Sequence, residues 1–411
     1  MKLTRRLVLA AAVATALGGV VSPVAASPTG LALADTAPGR VTTAAEPIPD
    51  SYLALLADEQ ASADVVKRTA DEVARQYGIG IVHLYTSALK GFAVKADAEQ
   101  ARKLTEDRRF RGIWQDAEVR TTALQVQTSP PSWGLNRIDQ RSLPFDTKYH
   151  HPNTAPSVKA YIIDTGIRYT HQEFNGQAIY GIDTVGGVFP PGNDCHGHGT
   201  HVAGTVGGQT VGVAKDVQLV SVRVLNCAGS GSYAGVIAGV DWVTNNAIMN
   251  PGTRAVANMS LGGGTYAPLN TAVANSIAAN VHYSVSAGNS NNNACLQSPA
   301  STPAATTVGS TNSNDYRSAF SSYGPCLDLF APGGSIYSAW GSSDTAYATL
   351  SGTSMAAPHV TGTAALWRHR FPGDTAWQTA AALADNATPG VVVNPGAGSP
   401  NRLLFMGMVP A

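Results

Sequence analysis

Along most of the chain, short apolar runs alternate with longer segments in which apolar residues recur at helical spacing. This pattern predicts strands at Ala160–Asp164, Val217–Leu225, Ala255–Ser260 and His282–Ala287, and helices at His198–Val206, Tyr233–Asn246 and Leu269–Ala279. Strands separated by helices are typical of right-handed crossovers and a parallel sheet, so we expect an α/β domain. Sites in such sheets form at the carboxyl ends of strands, where Asp164, Ser260 and Asn289 stand.

The preceding segment has a different pattern. Charges are dense between Ser51 and Arg120, and Asp64–Tyr77 combines apolar and charged residues at helical spacing. We predict further strands at Ile79–Leu84, Gly91–Val94 and Arg111–Val119, and a second helix at Asp97–Leu104. These elements form a small α+β unit. The paired prolines in Gln125–Pro131 predict a linker between this unit and the rest of the chain.

The first residues indicate export. Basic residues in Met1–Arg6 precede an uncharged apolar run, Leu7–Val21, and small residues follow at Val24–Ala26. We therefore predict a signal peptide over 1–26, because the run is short for a membrane span and is interrupted by glycines. The arginine pair leaves twin-arginine export open beside the general secretory route. Residues 27–46 are rich in Ala, Thr, Pro and Gly and are predicted to form a linker.

Composition narrows the function classes. Lys plus Arg and Asp plus Glu both number 27, so the formal net charge is zero and nothing favours a nucleic-acid partner. No segment after the signal is long and apolar enough to span a membrane. The 42 glycines follow no triplet period, which excludes collagen and predicts many tight turns.

The four cysteines are Cys195, Cys227, Cys295 and Cys326. An even number in an exported chain favours disulfides, although the sequence leaves three pairings open. A zinc site is the alternative, but no two of these cysteines have the CxxC spacing that is typical of one.

Several segments carry residues suited to nucleophilic catalysis. Peptide hydrolysis by a serine needs a base beside the hydroxyl, a partner that orients the base, and donors for the developing oxyanion. Asp164 closes an apolar run and could orient a base, although a carboxylate there often caps a turn. Ser354 precedes a helical run, where a serine is most often a cap, but where backbone N–H groups also face any anion.

Three histidines, His196, His198 and His201, alternate with small residues between Cys195 and Gly204. Their spacing resembles that of metal ligands, which keeps a zinc hydrolase open as a hypothesis. No glutamate of the HExxH type stands among them to serve as a base. The neighbouring glycines also suit close packing of a helix against a strand.

Five ordered motifs carry a resemblance to a known family. They are YIIDTGI (161–167), HGTHVAGT (198–205), ANMSLGGG (257–264), SAGNSN (286–291) and SGTSMAAPHV (351–360). Together they resemble the subtilases, and in particular the proteinase K-like, disulfide-bearing bacterial branch that is similar to aqualysin. The resemblance extends from about Trp133 to the C-terminus. It implies a three-layer subtilisin-like fold with a mostly parallel central sheet and the activity of a secreted serine endopeptidase.

The resemblance also implies roles for single residues. Asp164 would orient His198, His198 would act as general base and acid, and Ser354 would attack the scissile carbonyl. The side-chain amide of Asn289 would stabilise the oxyanion together with the backbone N–H of Ser354. No catalytic metal is implied. A catalytically inactive subtilase used for binding is a rival hypothesis, but the intact set of four residues argues against it.

Substrate segments follow from the same resemblance. The substrate backbone would pair with Gly229, Ser230 and Gly231 on one side and with Ser260, Leu261 and Gly262 on the other. Ser286, Ala287 and Gly288 would line the primary specificity pocket, and Tyr233 would border an outer pocket. We expect broad cleavage after aromatic or aliphatic residues, because these segments are small and uncharged.

In the resembling branch, the cysteines pair as Cys195–Cys227 and Cys295–Cys326. The family's tight structural calcium site would fall on the carbonyl oxygens of Pro303 and Ala305 and the carboxylate of Asp328. A second calcium site would involve Asp139, Gln140 and Asp146, but Asn136 stands where close relatives have aspartate.

The N-terminal α+β unit is similar in position and length to a subtilase propeptide, a small ferredoxin-like domain that assists folding and inhibits the enzyme. We therefore expect a propeptide at 47–125 and a peptidase domain at 126–411. The inhibitory tail would lie at Glu118–Gln125, with self-cleavage between Leu124 and Val126. The expected partners are protein or peptide substrates and the chain's own propeptide, with no nucleic acid, no membrane after signal cleavage, and a monomeric enzyme.

Overall fold

The computed structural model describes residues 40–43, 47–87, 89–117, 125–187, 190–250, 252 and 254–410. They fall into two compact units, with the boundary between residues 121 and 122. The predicted signal peptide, most of the first linker and nearly all of the predicted inhibitory tail lie outside the described residues. Within the described ranges, no helix combines the length and apolarity that crossing a membrane requires.

The N-terminal unit contains four strands and two helices in its described part. They are β1 (Pro47–Leu56), α1 (Ala63–Tyr77), β2 (Gly80–Tyr85), β3 (Gly91–Lys95), α2 (Ala98–Leu104) and β4 (Phe110–Ala117). Ser62 caps α1 by accepting from the Val65 N–H, and α2 begins with a capping box between Asp97 and Gln100. The sheet is antiparallel with the order β2-β3-β1-β4, which confirms the predicted ferredoxin-like α+β fold.

Two features of this unit differ from the sequence prediction. The first strand, β1, was not predicted, although it lies between two partners at the centre of the sheet. Thr42, in the segment predicted as a linker, exchanges backbone hydrogen bonds with Ile113 and Gln115 of β4. Both features depend on pairing with residues about forty to seventy positions later, a distance over which local patterns carry no information.

The C-terminal unit begins with two short strands and a short helix and continues as an α/β fold. Its strands are β5 (Gln125–Thr128), β6 (Lys148–His151), β7 (Val158–Asp164), β8 (Ala178–Asp183), β9 (Gln218–Arg223), β10 (Arg254–Met259), β11 (Gly263–Gly264), β12 (Val281–Ser286), β13 (Gln297–Ser298), β14 (Thr306–Thr311), β15 (Leu329–Pro332), β16 (Ile336–Ala339), β17 (Tyr347–Leu350), β18 (Thr388–Pro389) and β19 (Arg402–Leu403). Its helices are α3 (Trp133–Ile138), α4 (His198–Gly207), α5 (Tyr233–Met249), α6 (Ala267–Ala278), α7 (Thr353–Arg370) and α8 (Ala376–Asn386).

The central sheet has the order β18-β19-β15-β14-β12-β10-β7-β9-β8. In the described residues, every pairing in it except that of β18 with β19 is parallel, which confirms the predicted mostly parallel sheet. The next two strands of the chain, β8 and β9, lie on one side of β7, and the following strand, β10, lies on the other. The carboxyl end of β7 is therefore a topological switch point, where crevices form in open parallel sheets.

Helices cover both faces of this sheet. Alternate residues of β7 point to opposite sides, so Ala160 and Ile162 pack in one hydrophobic cluster and Tyr161 and Ile163 in the other. The first cluster includes residues of α4, α7 and α8, and the second includes residues of α5 and α6. The resulting three-layer arrangement is the predicted one.

The predicted linker at Gln125–Pro131 is wrong in its first half. Gln125–Thr128 forms β5, which pairs antiparallel with β6. The paired prolines at the end of the segment suggested irregular structure, but the partner strand lies about twenty residues further along and so does not show in the local sequence.

Two disulfides join the cysteines of the C-terminal unit. Cys195 is bonded to Cys227 and Cys295 to Cys326, the same pairs that the family resemblance implies. The first disulfide connects the turn before α4 to the segment after β9, and both of these segments border the candidate active site.

Candidate active site

Asp164 and His198 meet at the switch point of the sheet. Asp164 ends β7 and is fully buried, whereas His198 begins α4 and lies 2.8 Å away, with its Nδ1 on Asp164 Oδ1. The same oxygen accepts from the Thr165 N–H at 2.7 Å. Gly199 allows the close approach, because a Cβ there would collide with the carbonyl oxygen of Gly166.

The charges around His198 favour the protonated form of its imidazole. Burial by itself lowers the pKa of His198, but the charge and hydrogen bond of Asp164 outweigh it. Asp194 adds a further contribution, and together these carboxylates raise the pKa of His198 above its ordinary value. Asp164 is therefore suited to fix the tautomer of His198 and to stabilise its cation.

The other two histidines of the cluster do not converge on His198. His201 is a buried residue of α4 whose Nε2 faces the carbonyl oxygens of Ile336 and Ala348 at 3.1 Å, and burial lowers its pKa to about 4. His196 is exposed, and its ring centroid lies 6.3 Å from that of His198. Among the described residues, no group of three or more His, Cys, Asp or Glu side chains could hold a metal ion, so the zinc hypothesis for this cluster finds no support.

Ser354 is the second residue of α7, a helix whose residues are nearly all buried. Its hydroxyl donates to the carbonyl oxygen of Ser260 at 3.3 Å, and in the described part of the chain no hydrogen bond joins it to His198. Rotation about the Cα–Cβ bond would redirect the hydroxyl, and such contacts often tighten only when substrate binds. The backbone N–H of Ser354 lies in the first helical turn, where N–H groups have no acceptor within the helix.

Asn289 is held in one orientation beside this helix. Its Oδ1 accepts from both the N–H and the hydroxyl of Thr353, each at 2.9 Å. No described residue accepts a hydrogen bond from its Nδ2, and a Cβ built on Gly352 would lie 3.5 Å from that nitrogen. The side chain therefore presents an unused N–H donor next to Ser354.

Two adjoining cavities form a cleft along these residues. The first has a volume of about 490 Å³ and contains His196 and His198 on its wall. The second has a volume of about 530 Å³ and contains Asn289 and Ser354. Residues 260–263 line both cavities, and no residue that lines the second one carries a charge.

Most of the predicted substrate segments line this cleft. Gly229, Ser230, Gly231, Tyr233, Ser260, Leu261 and Gly262 line the first cavity, and Ser260, Leu261, Gly262, Ser286 and Gly288 line the second. Ala287 does not line it, contrary to the prediction, and is instead fully buried in a hydrophobic cluster. Ser286, the last residue of β12, and Gly288 line the cavity, whereas Ala287 between them packs into the core.

The cleft also contains residues that the sequence did not identify. Gln297 lines the second cavity, and its amide lies so close to Gly288 that an added Cβ there would collide with it. Asn292 and Leu296 lie on the same wall. No motif marks these three, because they reach the cavity through the folding back of the loop that contains Cys295.

Asp328 has the features expected of a cation ligand. Its Oδ2 accepts from the Thr307 N–H at 2.7 Å, which brings the carboxylate beside the turn that contains Pro303 and Ala305. Burial raises the pKa of Asp328 to about 6, although the Thr307 N–H and the charge of Arg402 partly offset this effect. A carboxylate that is costly to ionise by itself, next to backbone carbonyls, fits a hard cation such as calcium.

The residues of the second predicted calcium site do not fit a cation. In the orientation that satisfies its neighbours, the amide nitrogen of Asn136 donates to Gln140 Oε1 at 2.9 Å and to Asp146 Oδ1 at 3.3 Å. Its oxygen accepts from the N–H groups of Thr147 and Lys148. The amide nitrogen thus forms hydrogen bonds with Gln140 Oε1 and Asp146 Oδ1, two of the oxygens that would have to coordinate a cation.

Comparisons with known proteins agree with this geometry. Residues 157–404 match the profile of the Subtilase family, and residues 52–122 match that of peptidase inhibitor I9. An extracellular serine proteinase of Thermus sp. (strain Rt41A) is 54% identical over 330 residues, which are 80% of this chain and 78% of that protein. Alkaline serine exoprotease A of Vibrio alginolyticus is 42% identical over 383 residues, which are 90% of this chain and 70% of that protein.

A solved structure also resembles this one. The crystal structure of a cold adapted subtilisin-like serine proteinase superimposes with a TM-score of 0.64 and 50% sequence identity, covering 67% of this chain and 97% of that chain. The family profile covers more than half of the chain, and the relatives are well above the identity at which fold and family are shared. The chain therefore belongs to the subtilase family.

Proposed function

We propose that this protein is a secreted serine endopeptidase in which Asp164, His198 and Ser354 form the catalytic triad. The observation that carries the proposal is the 2.8 Å contact of His198 Nδ1 with the buried carboxylate of Asp164, in a cleft that continues to Ser354. This contact leaves Nε2 of His198 as the proton acceptor. The third member, Ser354, lies at a helix N-terminus, where the helix dipole favours developing negative charge.

The reaction follows from these positions. Ser354 Oγ bonds to the scissile carbonyl carbon while its proton passes to His198 Nε2, and Asp164 stabilises the resulting imidazolium. His198 then gives that proton to the amine of the leaving peptide, and the C–N bond breaks. A water molecule, deprotonated by His198, attacks the acyl-enzyme and releases the acid product while the proton returns to Ser354.

Asn289 Nδ2 and the backbone N–H of Ser354 would bind the oxyanion of each tetrahedral intermediate. Supporting this role, the Asn289 amide is fixed by Thr353 through two hydrogen bonds to its oxygen. Donors that are held before the reaction need no reorganisation during it, and this gives such groups their large effect.

The cleft suits an extended peptide. The backbone of the peptide would pair with Gly229–Gly231 and Ser260–Gly262. The side chain of the residue before the scissile bond would enter the second cavity, which Ser286 and Gly288 line. That cavity lacks charged residues, which favours hydrophobic or aromatic side chains, and the Gln297 amide adds one polar wall. Tyr233, whose ring stacks on Tyr266 with centroids 4.2 Å apart, would border the pocket for an earlier substrate residue.

The chain would be synthesised as a precursor. The inhibitor profile over residues 52–122 supports a propeptide at 47–125 that inhibits the peptidase domain, 126–411, until self-cleavage near Val126. The signal over 1–26 and the linker over 27–46 complete the precursor. The named extracellular relative supports secretion.

The maturation of the purified precursor tests this function. Ser354→Ala should remain uncut, whereas the wild type should release its propeptide, as seen by mass spectrometry of the intact chain. Ser351→Ala is the matched control, since it removes a hydroxyl three residues earlier in the same motif and should still mature. Self-maturation of pure Ser354→Ala would contradict the assignment of the nucleophile.

We further propose structural calcium at Pro303, Ala305 and Asp328, with no catalytic role. The carboxylate of Asp328 would supply the charge and the two backbone carbonyls would supply neutral oxygens. Calcium should raise the melting temperature of the inhibited mature enzyme, and Asp328→Asn should remove most of that increase. An equal increase in both proteins would assign the calcium to another site.

A further inference from the structure

Asp194 is a second buried carboxylate next to His198. It lies four residues before His198, it is only 4% exposed, and no described basic side chain forms an ion pair with it. Its two oxygens accept five hydrogen bonds. They come from Thr165 Oγ1 (2.9 Å), His196 N (2.9 Å), Gly197 N (2.8 Å), Thr200 N (2.9 Å) and Thr200 Oγ1 (2.7 Å).

These contacts join the two halves of the catalytic pair. Thr165 directly follows Asp164, while Gly197 and Thr200 flank His198 at the start of α4. Thr165 Oγ1 also accepts from the N–H of Gly199 at 2.9 Å, which closes the connection between strand and helix. One carboxylate therefore sets the position of the β7 end relative to the first turn of α4.

Every hydrogen bond to this carboxylate comes from a neutral hydroxyl or backbone N–H group in the described residues. The other titratable groups close enough to His198 to interact with its charge are Asp164, which contacts it, and His196 and His201, which do not bond to its ring. His201 is neutral at physiological pH because burial lowers its pKa to about 4, so it does not offset the charge of Asp194.

We propose that Asp194 is a positioning residue for the reaction, which holds His198 against Asp164 and whose charge stabilises the imidazolium that forms during catalysis. This role rests on the proposed function of His198 as general base. Asp194 does not touch the reacting atoms, and its effect is transmitted through the turn that it organises and through the field of its charge. The part that Asp194 plays in raising the pKa of His198 agrees with this role.

The test is the pH dependence of kcat/KM for three variants of the full precursor, matured with a trace of wild-type enzyme where self-cleavage is slow. Asp194→Asn removes the charge while keeping the shape. The acid limb of the pH profile of kcat/KM for this variant should move to lower pH by roughly half a unit to one unit, and kcat should fall about tenfold. Asp194→Glu keeps the charge, so its acid limb should stay at the wild-type pH even if kcat falls.

Thr200→Val separates the charge from the hydrogen bonds. It removes the Thr200 hydroxyl contact but leaves the carboxylate, so its melting temperature should fall while its acid limb stays in place. A wild-type acid limb in Asp194→Asn, or an equal displacement in Thr200→Val, would overturn the proposal. Failure of the proposed function itself would be seen first in the wild type, as proteolysis that a serine-directed phosphonyl fluoride leaves unchanged.

Discussion

For single residues in the cleft, the hydrogen bonds already formed determine which polar groups remain available to a substrate. The amide oxygen of Asn289 accepts from both the N–H and the hydroxyl of Thr353, and its nitrogen, which lies at the cleft, has no acceptor among the described residues. The hydroxyl of Ser354, in contrast, has a weak resting partner in the Ser260 carbonyl at 3.3 Å. The amide that we propose as oxyanion donor is thus fixed before substrate binds, while the hydroxyl that we propose as nucleophile must rotate once to reach His198.

Asn289→Leu should therefore affect the chemical step. The substitution keeps the approximate size of the side chain and removes the N–H donor, so kcat should fall about a hundredfold or more with KM nearly unchanged. Asn292→Leu, on the wall of the same cavity, is the control and should leave kcat close to that of the wild type. Steady-state kinetics on one peptide substrate distinguish the two. A rise in KM with an unaltered kcat would show that Asn289 binds the ground state instead.

The sequence indicated the residues that carry a family motif, because Asp164, His198, Asn289 and Ser354 each stand in a short ordered pattern. It did not indicate Gln297, which reaches the specificity cavity only through a loop that folds back. Asp194 was equally hidden. A lone acidic residue before a turn has no local signature, and its five donors come from positions 165 to 200.

At the level of elements, the loop between α3 and β6 depends on the hydrogen bonds of one side-chain amide. Asn136, in α3, donates its amide N–H groups to Gln140 and Asp146 and accepts from the backbone at Thr147 and Lys148. The loop is therefore closed by a neutral side chain. An aspartate at the same position would have no N–H to donate and would add a negative charge beside Asp146.

Asn136→Asp should make the stability of this loop depend on calcium. Without calcium, the added carboxylate should lower the melting temperature of the phosphonyl-inhibited enzyme, because like charges then face each other. With millimolar calcium, the increase in melting temperature should exceed that of the wild type, because binding to the folded state adds stability. Calorimetry with Asn136→Ala as control would measure both effects. A calcium response identical to that of the wild type would contradict this account of the loop.

For the molecule as a whole, several histidines are buried in the core of the C-terminal unit. Burial lowers the pKa of His201 and of His359 to about 4 and that of His282 to about 3. In the unfolded chain the same side chains titrate near their ordinary value of about 6.5. Between about pH 4 and pH 6.5 the unfolded chain therefore binds protons that the folded protein does not.

The free energy of unfolding should consequently fall as the pH is lowered from 7 to 5. Each of the three histidines adds up to about 1.4 kcal/mol per pH unit to this slope. In calcium-free buffer two groups oppose it, because the folded protein binds their protons more readily: Asp328, whose pKa burial raises to about 6, and His198, whose pKa the neighbouring carboxylates raise. Urea midpoints of the inhibited enzyme across this range would measure the slope. His282→Gln should reduce the slope, and His196→Gln, an exposed control, should not. A stability that rises on acidification would contradict the prediction.

The architecture could be predicted in part from the sequence. Short apolar runs and helical periods were sufficient to predict the parallel α/β sheet and every described element of the N-terminal unit except β1. The order of the strands, the pairing of β5 with β6 and the central position of β1 depend on contacts between distant segments. Local patterns cannot specify such contacts, because the energy that selects them comes from burial in the assembled core.

The central claim is that Ser354 is the nucleophile of a serine endopeptidase, and covalent labelling tests it most directly. Mature enzyme treated with a phosphonyl fluoride and digested for peptide mass spectrometry should carry one adduct, on Ser354, and activity should fall in proportion to labelling. His198→Ala should label far more slowly, since the base that activates the hydroxyl is then missing. An adduct on a different residue, or full proteolytic activity in enzyme that is completely labelled at Ser354, would contradict the account.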